Sequence, residues 1–217
     1  MPGFGDAMVY APRGAGTKPV MVVAHGHGMV PDDICHDFHE LAGERGFVVC
    51  PRGTPIEGKP DAFTHGAELP QEIDADLAAL HARYGNRVDM GQMIYVGYSQ
   101  SAYLAPNVVM HEPSRFTRAI VIEGNGVWNE KKIAAAGGKR MMFACGQATC
   151  DTGAKLVVPT FEKAGVPSKE LYSPGAGHVW YGPVMAQIKA NWAWFVDGDT
   201  RWGGAPPPRP RYSGSSV

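Results

Sequence analysis

Ser99 is the residue whose surroundings point most directly to chemistry. The stretch Met93-Ile94-Tyr95-Val96-Gly97-Tyr98-Ser99-Gln100-Ser101-Ala102 passes from an apolar β-type run through Gly97 to the serine. A helix-compatible segment, Ala102-Tyr103-Leu104-Ala105, follows at once. Strand, sharp turn and helix in that order hold a serine in a strained backbone conformation, with its hydroxyl above the strand ends and neighbouring N–H groups turned to the same space. A serine hydroxyl is a feeble nucleophile at neutral pH. It needs a base within hydrogen-bond reach, and the base needs a carboxylate to orient it. Ligands of an open parallel sheet collect at the carboxyl ends of its strands. Ser99, the pair His25 and His27, Glu123, Asp151 and His178 each follow a different predicted strand, so they converge on one rim.

The elements that carry these residues alternate. A short edge strand ends at Tyr10, and Pro19 to Ala24 is a continuous apolar run of the kind buried on both faces of a sheet. Pro31-Asp32-Asp33 and the residues to Arg45 place acidic groups early and a basic one late, as a helix macrodipole prefers, and Gly46 stops the helix. The next strand runs from Gly46 to Pro51. Arg52 to His65 is rich in Gly, Pro and Thr without a period, which predicts a loop over the strand ends. Leu69 to Tyr84 has helical spacing, with Ile73, Leu77 and Leu80 on one stripe. Strands are then predicted at 91–97, 116–122, 139–145 and 167–172, and helices at 101–111, 129–136, 152–164 and 179–196. The alternation predicts one α/β domain over residues 1–202, a mostly parallel twisted sheet with helices on both faces. Residues 203–217, rich in Pro, Gly and Ser, are expected to form a disordered tail or a strap on the surface.

Composition excludes several classes. Among 217 residues, 20 Lys and Arg nearly balance 21 Asp and Glu, and no block of like charge offers a nucleic-acid face. No apolar run reaches the roughly 18 residues of a membrane span. The chain opens Met1-Pro2-Gly3 without the apolar core of a signal peptide. Four cysteines complicate that picture. Cys145 and Cys150 are close enough for a small staple, while Cys35 near a helix start and Cys50 at the end of the next strand share a rim if their strands are neighbours. Disulfides Cys35–Cys50 and Cys145–Cys150 are therefore expected, with a secreted or periplasmic mature chain, the alternative being four buried thiols in a cytoplasmic protein. A monomer is expected.

Gly97-Tyr98-Ser99-Gln100-Ser101 resembles the nucleophile elbow G-x-S-x-G of α/β-hydrolases, with Ser101 in place of the second glycine. From about residue 18 to 196 the chain is similar to small members of that superfamily such as dienelactone hydrolases, carboxylesterases and polyester depolymerases, and Gly-Tyr-Ser-Gln is also similar to the elbow of cutinases. The resemblance implies a three-layer α/β-hydrolase fold and no cofactor. It implies that His178, in Pro174-Gly175-Ala176-Gly177-His178, is the base. For the acid it points to Asp151, which follows Cys145-Gly146-Gln147-Ala148-Thr149-Cys150 a couple of residues later than usual and suits a helix cap as well. Glu123, at the tip of the strand Ala119-Ile120-Val121-Ile122, is the rival, and both stay open. His25-Gly26-His27-Gly28 resembles the H-G-x-G oxyanion segment, so the N–H groups of His27 and Gln100 are the implied oxyanion donors.

A metal held by His25, His27, Asp32 and Asp33 is disfavoured, because alternating histidines at a strand end point to opposite faces. Between Glu123 and Gly138 only a short helix fits where many relatives insert a lid. Trp128, Trp180 and Tyr181 are then candidate walls of an open cleft. The implied activity is hydrolysis of small or polymeric carboxylic esters, bulky or aromatic ones included, through an acyl-serine. Peptidase or acyltransferase activity on the same residues, and a non-catalytic binding protein on this scaffold, are the alternatives.

Overall fold

The computed structural model describes residues 4–203. Strands β1 (Met8–Tyr10), β2 (Val20–Ala24), β3 (Phe47–Cys50), β6 (Ile94–Tyr98), β7 (Arg118–Ile122), β8 (Arg140–Cys145) and β9 (Ser168–Tyr172) form one sheet. Strands β4 (Thr54–Ile56) and β5 (Lys59–Thr64) form a separate hairpin. The helices are α1 (Pro31–Ala42), α2 (Leu69–Tyr84), α3 (Gln100–His111), α4 (Glu130–Ala135), α5 (Ala148–Lys163) and α6 (Pro183–Phe195).

The seven strands lie in the order β1-β3-β2-β6-β7-β8-β9, with β1 antiparallel to β3 and every other pair parallel. Strand side chains alternate between two apolar layers. Val20, Val22 and Ala24 of β2 pack into the layer built with α2, α3, α4 and α5, while Met21 and Val23 pack into the layer built with α1 and α6. This is the α/β-hydrolase architecture, with helices on both faces of the sheet. Its central strands are apolar on both sides because both sides are covered.

The structure departs from the sequence expectation in two places that matter for the rim. The stretch expected as loop, 52–65, is largely the β4–β5 hairpin, turned through Glu57 and Gly58, whose φ is 74°. Phe63 of β5 exchanges backbone hydrogen bonds with Gly28 and Met29 at 2.8 and 3.0 Å, which docks the hairpin on the His25–Gly28 loop. Helix α5 begins at Ala148, four residues before the predicted start, so Asp151 sits in its first turn rather than on the preceding loop.

Both expected disulfides are present, Cys35–Cys50 and Cys145–Cys150, with Cα separations of 6.1 and 5.5 Å. Between β7 and β8 the chain holds only the six-residue α4. Trp202 is fully buried against Trp192, with ring centroids 6.2 Å apart. The predicted tail lies, from residue 204 on, outside the described residues. Among the described residues no helix is long and apolar enough to cross a membrane.

Candidate active site

Ser99 is the N-cap of α3 and has φ 53° and ψ −113°, a left-handed conformation rare for a residue with a side chain. The turn exists because its neighbours leave room. A Cβ on Gly97 would lie 2.5 Å from the Ser101 carbonyl oxygen, and one on Gly26 would lie 3.0 Å from the Ser99 Cβ. The sheet ladder carries through the turn, with the Ser99 N–H donating to Ile122 O at 2.9 Å. The hydroxyl therefore stands at the positive end of α3, whose first N–H groups have no partner within the helix.

His178 reaches this hydroxyl from the far end of the sequence. Its Nε2 is 2.8 Å from Ser99 Oγ. Gly177, at φ 81°, bends the loop that brings the ring over the serine. Tyr98 braces the loop from below: its hydroxyl donates to the His178 carbonyl at 2.7 Å and its ring lies 5.4 Å from the imidazole, centroid to centroid. Burial, followed by the nearby Glu123 carboxylate, pushes the Tyr98 hydroxyl up to about 12, so it remains a donor across the neutral range.

The two candidate carboxylates part company. Glu123, at the end of β7, is buried and has φ 54°; with Ser99 it is one of the two non-glycine residues at positive φ among the described residues. Its Oε2 lies 3.4 Å from His178 Nδ1. Its Oε1 accepts the backbone N–H groups of Gly146 and, at 3.2 Å, Gln147. Asp151 instead pairs with Lys155 one helical turn on, at 2.8 Å, and that ammonium holds its carboxyl below the usual range. The early start of α5 places Asp151 in that helix's first turn beside Lys155, and of the two candidates Glu123 is the carboxylate that lies next to the imidazole.

The loop expected to supply an oxyanion donor lies against the serine through Gly26. His25 is buried, its ring nitrogens 2.7 and 2.9 Å from the carbonyls of Gly26 and Arg52, and burial followed by the neighbouring His65 pushes it below the ordinary histidine range. His27 points outward and meets Thr64 Oγ1 at 3.0 Å. The Gln100 side chain is tied to the same strand end, with Thr64 Oγ1 at 2.9 Å from its nitrogen and the His65 N–H donating to its oxygen at 3.0 Å. The hairpin thus clamps both residues whose backbone N–H groups the resemblance implicates. Its part was invisible in a segment without hydrophobic period.

Of the three expected wall residues, Trp128 is corrected to core packing. It is buried against Phe143 and Phe161, with ring centroids at 6.1 and 5.4 Å. The ring joins the apolar layer that Phe143 of β8 and Phe161 of α5 build on that face of the sheet, where burying its large apolar surface is favourable. Trp180 packs edge-on to Tyr98 and Tyr181 and donates its indole N–H to Asp37 at 2.9 Å, while Tyr181 is exposed. Trp180 thus shares Tyr98 with His178 as a ring neighbour, and Tyr181 stands outside it. Two contributors were not foreseen. In the sequence Tyr98 is one residue of the elbow and Gln147 one residue of the loop between Cys145 and Cys150. Neither carries a sequence signal for its contact with His178.

No protein-family model and no curated protein matches this sequence. Solved structures match along nearly the whole chain. Esterase PE8 superposes with a TM-score of 0.66 at 19% identity, covering 88% of this chain and 98% of its own. The Bacillus cereus carboxylesterase gives 0.62 at 17%, covering 87% and 92%. An S-formylglutathione hydrolase from Agrobacterium tumefaciens gives 0.62 at 17%, covering 91% and 90%. At these identities the likeness establishes the shared α/β-hydrolase fold.

Proposed function

We propose that the protein is a serine hydrolase acting on carboxylic esters, with Ser99 as nucleophile, His178 as base and Glu123 as acid. The observation that carries the reading is the contact of 2.8 Å between Ser99 Oγ and His178 Nε2, with Glu123 Oε2 3.4 Å from the opposite ring nitrogen. His178 takes the hydroxyl proton as Oγ attacks the ester carbonyl, and the buried carboxylate favours the imidazolium that forms. The developing oxyanion lies between the N–H of Gln100, at the start of α3, and that of His27 on the loop packed against Ser99. His178 then passes its proton to the departing alcohol, and water releases the acyl group from Ser99 by the reverse proton path.

That several structural neighbours are named esterases or carboxylesterases favours esters over amides as the substrate class. The absence of any insertion larger than α4 between β7 and β8 leaves Ser99 open, and Trp180 with the exposed Tyr181 offers aromatic surface beside it. This supports bulky, aromatic or polymeric esters. The two disulfides support action in an oxidising compartment, as a secreted or periplasmic enzyme.

The test is covalent labelling with a fluorophosphonate, together with hydrolysis of short and bulky aryl esters. Labelled wild type and unlabelled Ser99→Ala, with activity lost by several orders of magnitude, is the expected outcome. A folded wild-type protein that takes no label is a binding protein instead.

A further inference from the structure

Two oxygens face Nδ1 of His178, and the nearer is not the carboxylate. Gln147 Oε1 lies 3.1 Å away, within hydrogen-bonding geometry, whereas Glu123 Oε2 at 3.4 Å makes no hydrogen bond with any group and is buried. Gln147 is the N-cap of α5, yet its side chain makes no capping bond, so the amide is free to reach the imidazole. Its backbone N–H meanwhile donates to Glu123 Oε1 at 3.2 Å. The residue therefore touches both partners of the serine. It sits inside the loop closed by Cys145–Cys150, which fixes where it can point.

We propose that Gln147 is a positioning residue for His178: its amide oxygen takes the Nδ1–H bond in the resting site and so keeps the Nε2 lone pair turned to Ser99, while Glu123 acts across the gap by charge. A neutral imidazole carries one N–H, and whichever ring nitrogen finds the better acceptor keeps the proton. An amide oxygen at hydrogen-bond distance selects the Nδ1–H tautomer, the one in which Nε2 accepts the serine proton. Once the imidazole is protonated, the buried carboxylate provides the Coulombic stabilisation a neutral amide cannot. The role rests on the serine hydrolase reading only for its kinetic consequence; the tautomer can be read without any substrate.

Gln147→Met tests this, since it keeps the length of an exposed side chain and removes its acceptor. Long-range 1H–15N spectra of the imidazoles, assigned by loss of the His178 signals in His178→Asn, report the tautomer directly. The expected wild-type state is Nδ1–H, shifting toward a mixture with Nε2–H in Gln147→Met. On a nitrophenyl ester the same variant should lose about tenfold in kcat, the worth of one neutral hydrogen bond, with KM changed less than about twofold. A His178 tautomer that is unchanged by the substitution, or already Nε2–H in wild type, overturns the proposal whether or not the protein is an esterase. An expected tautomer shift in a protein that resists fluorophosphonate keeps the positioning role and removes the hydrolase.

Discussion

Two side chains at the site sit where L residues seldom do. Ser99 and Glu123, at φ 53° and 54°, end adjacent parallel strands. Each turn costs of order 1 kcal/mol or more and persists only because the surrounding structure enforces it. In return, the hydroxyl and the carboxylate are both thrown forward over the strand ends instead of into the helical layers. Asp151 has no such geometry and is already matched by Lys155. Glu123→Gln should therefore lower kcat/KM by roughly 10³ to 10⁴-fold, as loss of a triad carboxylate does elsewhere, whereas Asp151→Asn should stay within about threefold of wild type. Steady-state kinetics of the two variants decide between the carboxylates, and a large loss in Asp151→Asn alone would return the role to that position.

The two disulfides act on different things because they close loops of different length in different places. Cys35–Cys50 ties α1 to the end of β3 across a separation of 15 residues, and both sulfurs lie in the layer away from the elbow helix. Replacing both by serine should lower the unfolding free energy by about 3 kcal/mol through the freed chain entropy and leave kcat near wild type. Cys145–Cys150 spans only five positions, so it constrains little chain, but Gly146 and Gln147 inside it hold Glu123 and meet His178. Its double serine variant should lose more in kcat than in stability. Urea unfolding and kcat measured on both variants check the contrast, and equal effects on kcat would remove any special role for the smaller loop.

At the scale of the whole molecule, one buried acid sets a pH dependence that has nothing to do with the rim. Asp76 of α2 is buried with both carboxylate oxygens lacking hydrogen bonds, and burial followed by the neighbouring Glu72 pushes it up from 3.8 to about 8. The folded protein keeps a proton there that the unfolded chain has released. Between 3.8 and about 8 the folded state thus binds more protons, and the contribution to stability falls as pH rises through that window. Asp76→Asn should raise the Tm at pH 8 relative to wild type by more than it does at pH 5, which thermal scans at the two values would show. Equal shifts at both would mean that Asp76 is ionised in the fold.

The alternation of apolar runs and amphipathic stretches was enough to determine the layered parallel sheet, since burial on both faces demands continuous β-branched strands and the punctuating glycines mark their ends. Because strand ends collect on one rim, the sequence also determined that Ser99 and His178 would share it. Only the tertiary structure decided which carboxylate stands beside the imidazole. That depends on where α5 begins, and the choice between Thr152 and Ala148 moves Asp151 from a loop into a helical turn while leaving the residue pattern unchanged. The hairpin over the rim, the inward packing of Trp128 and the reach of Gln147 were likewise settled in three dimensions. Each is a contact between segments far apart in the chain, and local periodicity carries no record of what a side chain will meet.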